Sequence, residues 1–130
     1  RASEHAGSAE RLTGAYEAFM AMPVGRQLAL FELTTFAIRN DRLRQVAADQ
    51  YQAYRAAAQE GLQPWREAAE ALPGGADALG ALLVAVIDGL TLASLADPDS
   101  RGVEALGLFA HLLLLAGVGG EVIAEATTPS

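Results

Sequence analysis

The chain contains no cysteine and no lysine. The first absence removes disulfides, thiolate nucleophiles and thiolate metal sites together, and it fits a cytoplasmic protein. The second leaves nine arginines facing sixteen carboxylates, a net charge of -7. Those arginines are scattered, so the polypeptide lacks the clustered cations that displace counterions from a nucleic-acid backbone. Aromatic residues are sparse, and no stretch alternates apolar and polar residues over the length of a strand. What remains is dominated by alanine and leucine, both helix formers, and the sequence predicts an all-α protein of about five helices. A length of 130 residues suits one domain with a real core rather than two, with an ordered part over residues 10–118. The polar first residues do not read as a secretory signal.

Two long apolar helices, predicted over residues 76–95 and 101–118, are the most informative elements. At ~100° per residue, Leu79, Leu82, Leu83, Val86, Ile87, Leu90 and Ala93 fill one broad face of the first. Ala81, Val84, Ala85, Leu92 and Leu95 occupy much of the other, and only Asp88, Thr91 and Ser94 interrupt. In the second, Val103, Leu106, Ala110, Leu113 and Leu114 oppose Leu108, Phe109, Leu112 and Leu115, with His111 as the one polar side chain past the first turn. A helix apolar all round is covered by a large core, by lipid or by another subunit. Asp88 at the centre of the first stretch costs roughly 2.5 to 3.5 kcal/mol in a bilayer, and His111 interrupts the second. The pattern therefore predicts no membrane association but a homodimer, with Leu83, Ile87, Leu90, Leu106, Phe109, Ala110 and Leu113 in its seam.

Three further helices precede these. Residues 10–22 place Leu12, Tyr16, Phe19 and a methionine near one face before Pro23 stops the helix. Residues 24–39 spread Leu28, Leu30, Phe31, Leu33, Phe36 and Ile38 widely around the axis beside a thin polar stripe of Glu32, Thr35 and Arg39, which predicts substantial burial. Asn40 reads as an N-cap with Asp41 in the first turn. The amphipathic helix after it keeps Leu43, Val46, Ala47, Gln50, Tyr51, Tyr54, Ala57, Ala58, Gly61, Leu62, Trp65, Ala68, Ala69 and Leu72 inward. Pro64 must kink it. Pro73-Gly74-Gly75 and Asp97-Pro98-Asp99-Ser100 are the two strongest breaks. Residues 1–8 and 121–130 are expected to fray.

An apolar pocket with a few polar anchors is the usual form of a ligand site. Phe19, Met20, Met22, Phe31, Phe36, Tyr51, Tyr54 and Trp65 supply candidate walls, and Thr35, Gln50 and the two tyrosines supply polar groups. Plain core packing accounts for at least half of them. Asp88 is a candidate ligand contact, set against the commoner role of a carboxylate held by hydrogen bonds. His111 has the same two readings, with a satisfied core or interface position the commoner. Gly89 suits a close approach of two helices. No second histidine lies at metal spacing, no phosphate loop follows a strand, and Ser94 and Ser100 have no histidine placed by any motif. The chain is read as neither an enzyme nor a metal or cofactor carrier.

The order of segments then matters. Phe31-Glu32-Leu33-Thr34-Thr35-Phe36-Ala37-Ile38-Arg39-Asn40 is followed by an Asn/Asp-initiated amphipathic helix carrying Gln50-Tyr51-Gln52-Ala53-Tyr54-Arg55. Val86-Ile87-Asp88-Gly89-Leu90 leads to Leu95-Ala96-Asp97-Pro98-Asp99 and a last apolar helix. Over residues 10–118 this resembles the carboxy-terminal domain of the tetracycline-repressor (TetR) family of transcriptional regulators. The resemblance implies a domain that binds a small effector and dimerises, its last two helices forming a four-helix bundle with their symmetry mates. It also implies operator DNA held through an amino-terminal helix-turn-helix, and none precedes residue 10. The expectation is the effector-binding and dimerisation domain of a cytoplasmic repressor, with a small apolar or aromatic effector at Phe19, Met22, Phe31, Thr35, Phe36, Tyr51, Tyr54, Trp65 and Asp88. DNA would be bound only by a module outside these residues. The alternative is a free-standing helical oligomerisation or scaffold module with no ligand.

Overall fold

In the computed structural model, which describes residues 8–120, every regular element is helical. The helices are α1 (Ser8–Met20), α2 (Val24–Arg39), α3 (Arg44–Leu62), α4 (Arg66–Glu70), α5 (Gly75–Ala96) and α6 (Gly102–Leu115), with a 3₁₀ turn at Gln63–Trp65. Apart from Ser8, with which α1 opens, the tails expected to fray lie outside the described residues.

Local chemistry sets the boundaries. Pro23 separates α1 from α2, and the buried Gln27 ties the turn: its Nε2 donates to the carbonyls of Met20 at 3.2 Å and Met22 at 2.6 Å. Those carbonyls are orphans of a helix end. Asn40 closes α2, and its Oδ1 accepts from the Arg42 amide at 3.1 Å. The side chain thus makes a bond of N-cap type, yet regular helix begins only at Arg44, later than the sequence predicts. Pro64 breaks α3 into the 3₁₀ turn, as expected of a ring with no N–H to donate. Gly74 has φ +80°, and a Cβ there would lie 2.5 Å from Ala78 Cβ, so a glycine is required. α6 ends at Gly117, φ +85°, where Val118 N bonds Leu113 O at 2.8 Å and Gly117 N bonds Leu114 O at 3.0 Å. This is a Schellman stop.

α5 is the central element: it packs on α1, α2, α3, α4 and α6, most extensively on α3. The core gathers Leu62, Trp65, Ala69, Ala76, Leu79, Leu113 and Val118, with Leu83 and Phe109 against it. The burial expected of α2 is not found. It packs through Gln27, Leu30, Phe31, Thr34 and Ala37, one stripe at three-and-four spacing, and leaves Leu28, Leu33, Phe36 and Ile38 exposed.

The last two helices are covered on one side only. The open face of α5 carries Ala78, Ala81, Leu82, Ala85, Gly89, Leu92, Ala93 and Ala96, an apolar strip whose one exposed neighbouring charge is Asp77 in the first turn. Among the described residues nothing packs on Gly89: a Cβ there would meet no atom within 4 Å. The open face of α6 carries Val103, Leu108, Leu112 and Leu115 around the exposed Glu104 and His111. α5 is also the one described helix long and apolar enough to cross a membrane, by length and composition.

Candidate functional site

α3, α5, α1 and α6 line a cavity of about 420 Å³ that opens to solvent beside the exposed Tyr54, Ala57 and Gly61. Leu12 and Phe19 come from α1, and Leu83, Val84, Ile87 and Asp88 from α5. Leu113 comes from α6, and Tyr54, Ala57, Ala58, Gly61 and Leu62 from α3. The space follows from the sequence of α3. Residues one turn apart share a face, and three of the wall positions on that face are Ala57, Ala58 and Gly61, whose short side chains leave the volume unfilled. A Cβ at Gly61 would meet nothing within 4 Å.

One corner is polar. Tyr51 donates its hydroxyl proton to Asp88 Oδ2 across the α3–α5 contact. The Tyr51 ring stands edge-on to Tyr54, centroids 5.5 Å apart and planes at 68°, and the Tyr54 hydroxyl accepts from Gln50 Nε2 at 2.5 Å. Burial first, then the hydrogen bond and the charge of Asp88, with a smaller contribution from Tyr54, push the Tyr51 phenol from 10.0 up to about 12. Thr91, one turn beyond Asp88, is buried but spends its hydroxyl on Ile87 O and Asp88 O at 2.9 and 3.0 Å within α5.

The candidate ligand residues fall into three groups. Phe19, Tyr54 and Asp88 line the cavity, and Tyr51 anchors the Asp88 carboxylate. Phe31 stands behind the wall, edge-on to Phe19 at 6.3 Å. The others are elsewhere. Met22 lies in the α1–α2 turn with its carbonyl bound by Gln27. Thr35 is exposed and bonds Glu32 O at 3.0 Å. Phe36 is 56% exposed beside Arg39, Asn40, Asp41 and Arg42. Trp65 is buried in the core, its indole N–H donating to Gly120 O at 2.9 Å. Leu12, Ala57, Ala58, Gly61, Leu62 and Val84 complete the walls. Those of α3 belong to the inward face that the periodicity marks, but only their small size distinguishes a cavity wall from packing.

The candidate seam residues also divide. Leu106, at 1% exposed, Ala110 and Leu113 are buried within the protomer, so they offer a partner nothing. Leu83 and Ile87 line the cavity, and Leu90 and Phe109 are half-buried. Among the described residues no group of three histidine, aspartate or glutamate side chains is placed to hold a metal ion.

Comparisons with curated proteins and with solved structures return no match. The family model described as "Tetracyclin repressor-like, C-terminal domain" matches residues 3–116. An all-helical chain whose cavity lies against its longest apolar helix, matched by that family over nearly its whole length, belongs to the tetracyclin repressor-like C-terminal domain family of transcriptional regulators.

Proposed function

We propose that this chain is the effector-binding and homodimerisation domain of a cytoplasmic repressor. A small, mainly apolar molecule in the α1–α3–α5–α6 cavity would control operator binding by a helix-turn-helix outside these 130 residues. The cavity carries this reading. Its volume of about 420 Å³ falls in the ~300–1,000 Å³ range of small-molecule sites, and its apolar walls with one polar corner have the usual composition of such sites. A scaffold module has no use for an apolar concavity of this size, whose walls face no packing partner. Dimerisation is supported by the apolar strip along α5 and by the exposed leucines on the open side of α6, the kind of surface that marks an interaction site when it is extended.

Trp65 reports on the site without labelling, because it packs in the same cluster as Leu62 and Leu113, both of which line the cavity. Apolar compounds should change its emission saturably and raise the melting temperature, and Tyr54→Ala should weaken the response. If no compound in a broad apolar panel moves either signal, the effector reading fails and the scaffold reading replaces it.

A further inference from the structure

The charge in the cavity has one sign. Among the described residues that line it, Asp88 is the only acid or base other than the Tyr54 phenol, and no arginine or histidine is present. Tyr51 gives Asp88 a hydrogen bond but no counter-charge, since its phenol is held protonated. The bond engages Oδ2, and no described group donates to Oδ1. Beside it stand the edge-to-face rings of Tyr51 and Tyr54, with Phe19 on another wall. A carboxylate flanked by aromatic rings is the chemistry that recognises organic cations, through direct charge pairing and through the negative ring faces.

Resting on the reading of this cavity as the effector site, we propose that the effector is a lipophilic monocation: an apolar skeleton filling the space between α3 and α5, with a protonated amine or quaternary ammonium at Asp88. The competing classes fit less well. A neutral apolar molecule would strip water from the Asp88 carboxylate and return no charge, which is unfavourable. An anion would meet that carboxylate with no cation among the described wall residues to offset it. The net charge of -7 adds a weak long-range bias of the same sign, which salt screens.

Three probes on one skeleton separate these classes: 4-phenylbutyl-trimethylammonium, 4-phenylbutanol and 4-phenylbutyrate, titrated calorimetrically against the chain at ~150 mM salt, where surface attraction is screened. The ammonium should bind about tenfold or more tighter than the alcohol, and the butyrate weakest. Asp88→Asn keeps an oxygen for Tyr51 and should bring the ammonium down to the affinity of the alcohol. Glu60→Gln, which removes an exposed charge outside the cavity, should leave the ratio intact. Ala58→Phe, which fills the space, should weaken all binding. If the alcohol or the butyrate matches the ammonium on the unaltered chain, or if Asp88→Asn leaves the cation preference in place, the cation assignment is overturned while the cavity remains an effector site. If none of the three binds, the cation assignment is likewise overturned, and the effector reading stands or falls separately on the broad apolar panel. The comparison on the unaltered chain needs no variant to fold.

Discussion

Two adjacent leucines in α6 should behave as opposites. Leu113 is 5% exposed and packs with Leu62, Trp65 and Val118, whereas Leu112 is 53% exposed on the open side of the same helix. Burying half a leucine is worth about 1 to 1.5 kcal/mol, and a two-fold interface counts each position twice. Leu112→Arg therefore forfeits about 2 to 3 kcal/mol of dimer stability. Two guanidinium groups brought unpaired into an apolar seam cost about as much again. The total of about 5 kcal/mol weakens association a few thousandfold, while the fold of each protomer changes by less than about 0.5 kcal/mol, as at other exposed sites. Leu113→Arg acts on the protomer instead. Truncation alone at such a site costs about 2 to 5 kcal/mol, and the unpaired charge adds several more, against a total of about 5 to 15 for a domain. Light scattering after gel filtration should give twice 13.5 kDa for the unaltered chain at micromolar concentration. Leu112→Arg should give 13.5 kDa with an intact helical spectrum and a melting temperature independent of concentration. Leu113→Arg should show no cooperative melt. A dimeric Leu112→Arg, or a well-folded Leu113→Arg, would refute the assignment of these faces.

Two further outcomes test the interior. In an absorbance titration of the phenolates, one of the three tyrosines should ionise near pH 12, and Asp88→Asn should lower that value only part of the way to 10, because burial, the largest cause, remains. A raised acid pKa stabilises the fold fully below pH 10, the value of the unfolded phenol, and that contribution is lost as pH rises through about 12. Melting temperatures over this range should therefore fall more steeply than in Tyr51→Phe, and parallel curves would contradict the Tyr51–Asp88 contact. Gly102→Ala should destabilise by about 1 to 3 kcal/mol, because a Cβ there falls on the Tyr16 hydroxyl and 2.7 Å from Ser94 Oγ. Tyr16→Phe removes one obstacle and should make the pair less costly than the sum of the two single changes; strict additivity would place the clash elsewhere.

What could be read in advance depends on whether a signal is local. The all-helical class, the bounds of α2, the 3₁₀ break at Pro64 and the stop at Pro73-Gly74-Gly75 each follow from residues within one turn of the event. The inward phase of α6 does not. When Leu106, Leu108, Leu112, Leu113 and Leu115 surround the axis, the pattern has no preferred direction, and only the neighbouring helices decide that Leu106 and Leu113 turn in while Leu115, 73% exposed, turns out. The burial expected of α2 fails for the related reason that apolar composition implies a cover without saying whose. For the site, the periodicity puts Tyr51, Tyr54, Ala58 and Trp65 on one face of a continuous helix. The turn at Gln63–Trp65 then carries Trp65 past the cavity into the core, while Tyr54 stays in the wall. Asp88 stands out as a lone carboxylate in an apolar run, but its partner Tyr51 lies 37 positions away and follows only from the α3–α5 contact.

That contact gives α5 two distinct sides. Leu83, Val84, Ile87 and Asp88 face the cavity, and Leu82, Ala85, Gly89 and Leu92, their neighbours in sequence, line the open strip. An α-helix is stiff over this length, so a displacement of Asp88 or Ile87 toward a ligand moves Gly89 and Leu82 with it. The small residues on the strip make its fit to any partner sensitive to such a shift, since a close-packed interface tolerates little sliding. Whether that sensitivity becomes regulation is a matter of free energy. A ligand bound equally well in both arrangements shifts nothing, however tightly it binds. The Tyr51–Asp88 pair supplies a basis for a difference: its charge is offset by one hydrogen bond, and a cation of the proposed class would replace that partial compensation with a direct one.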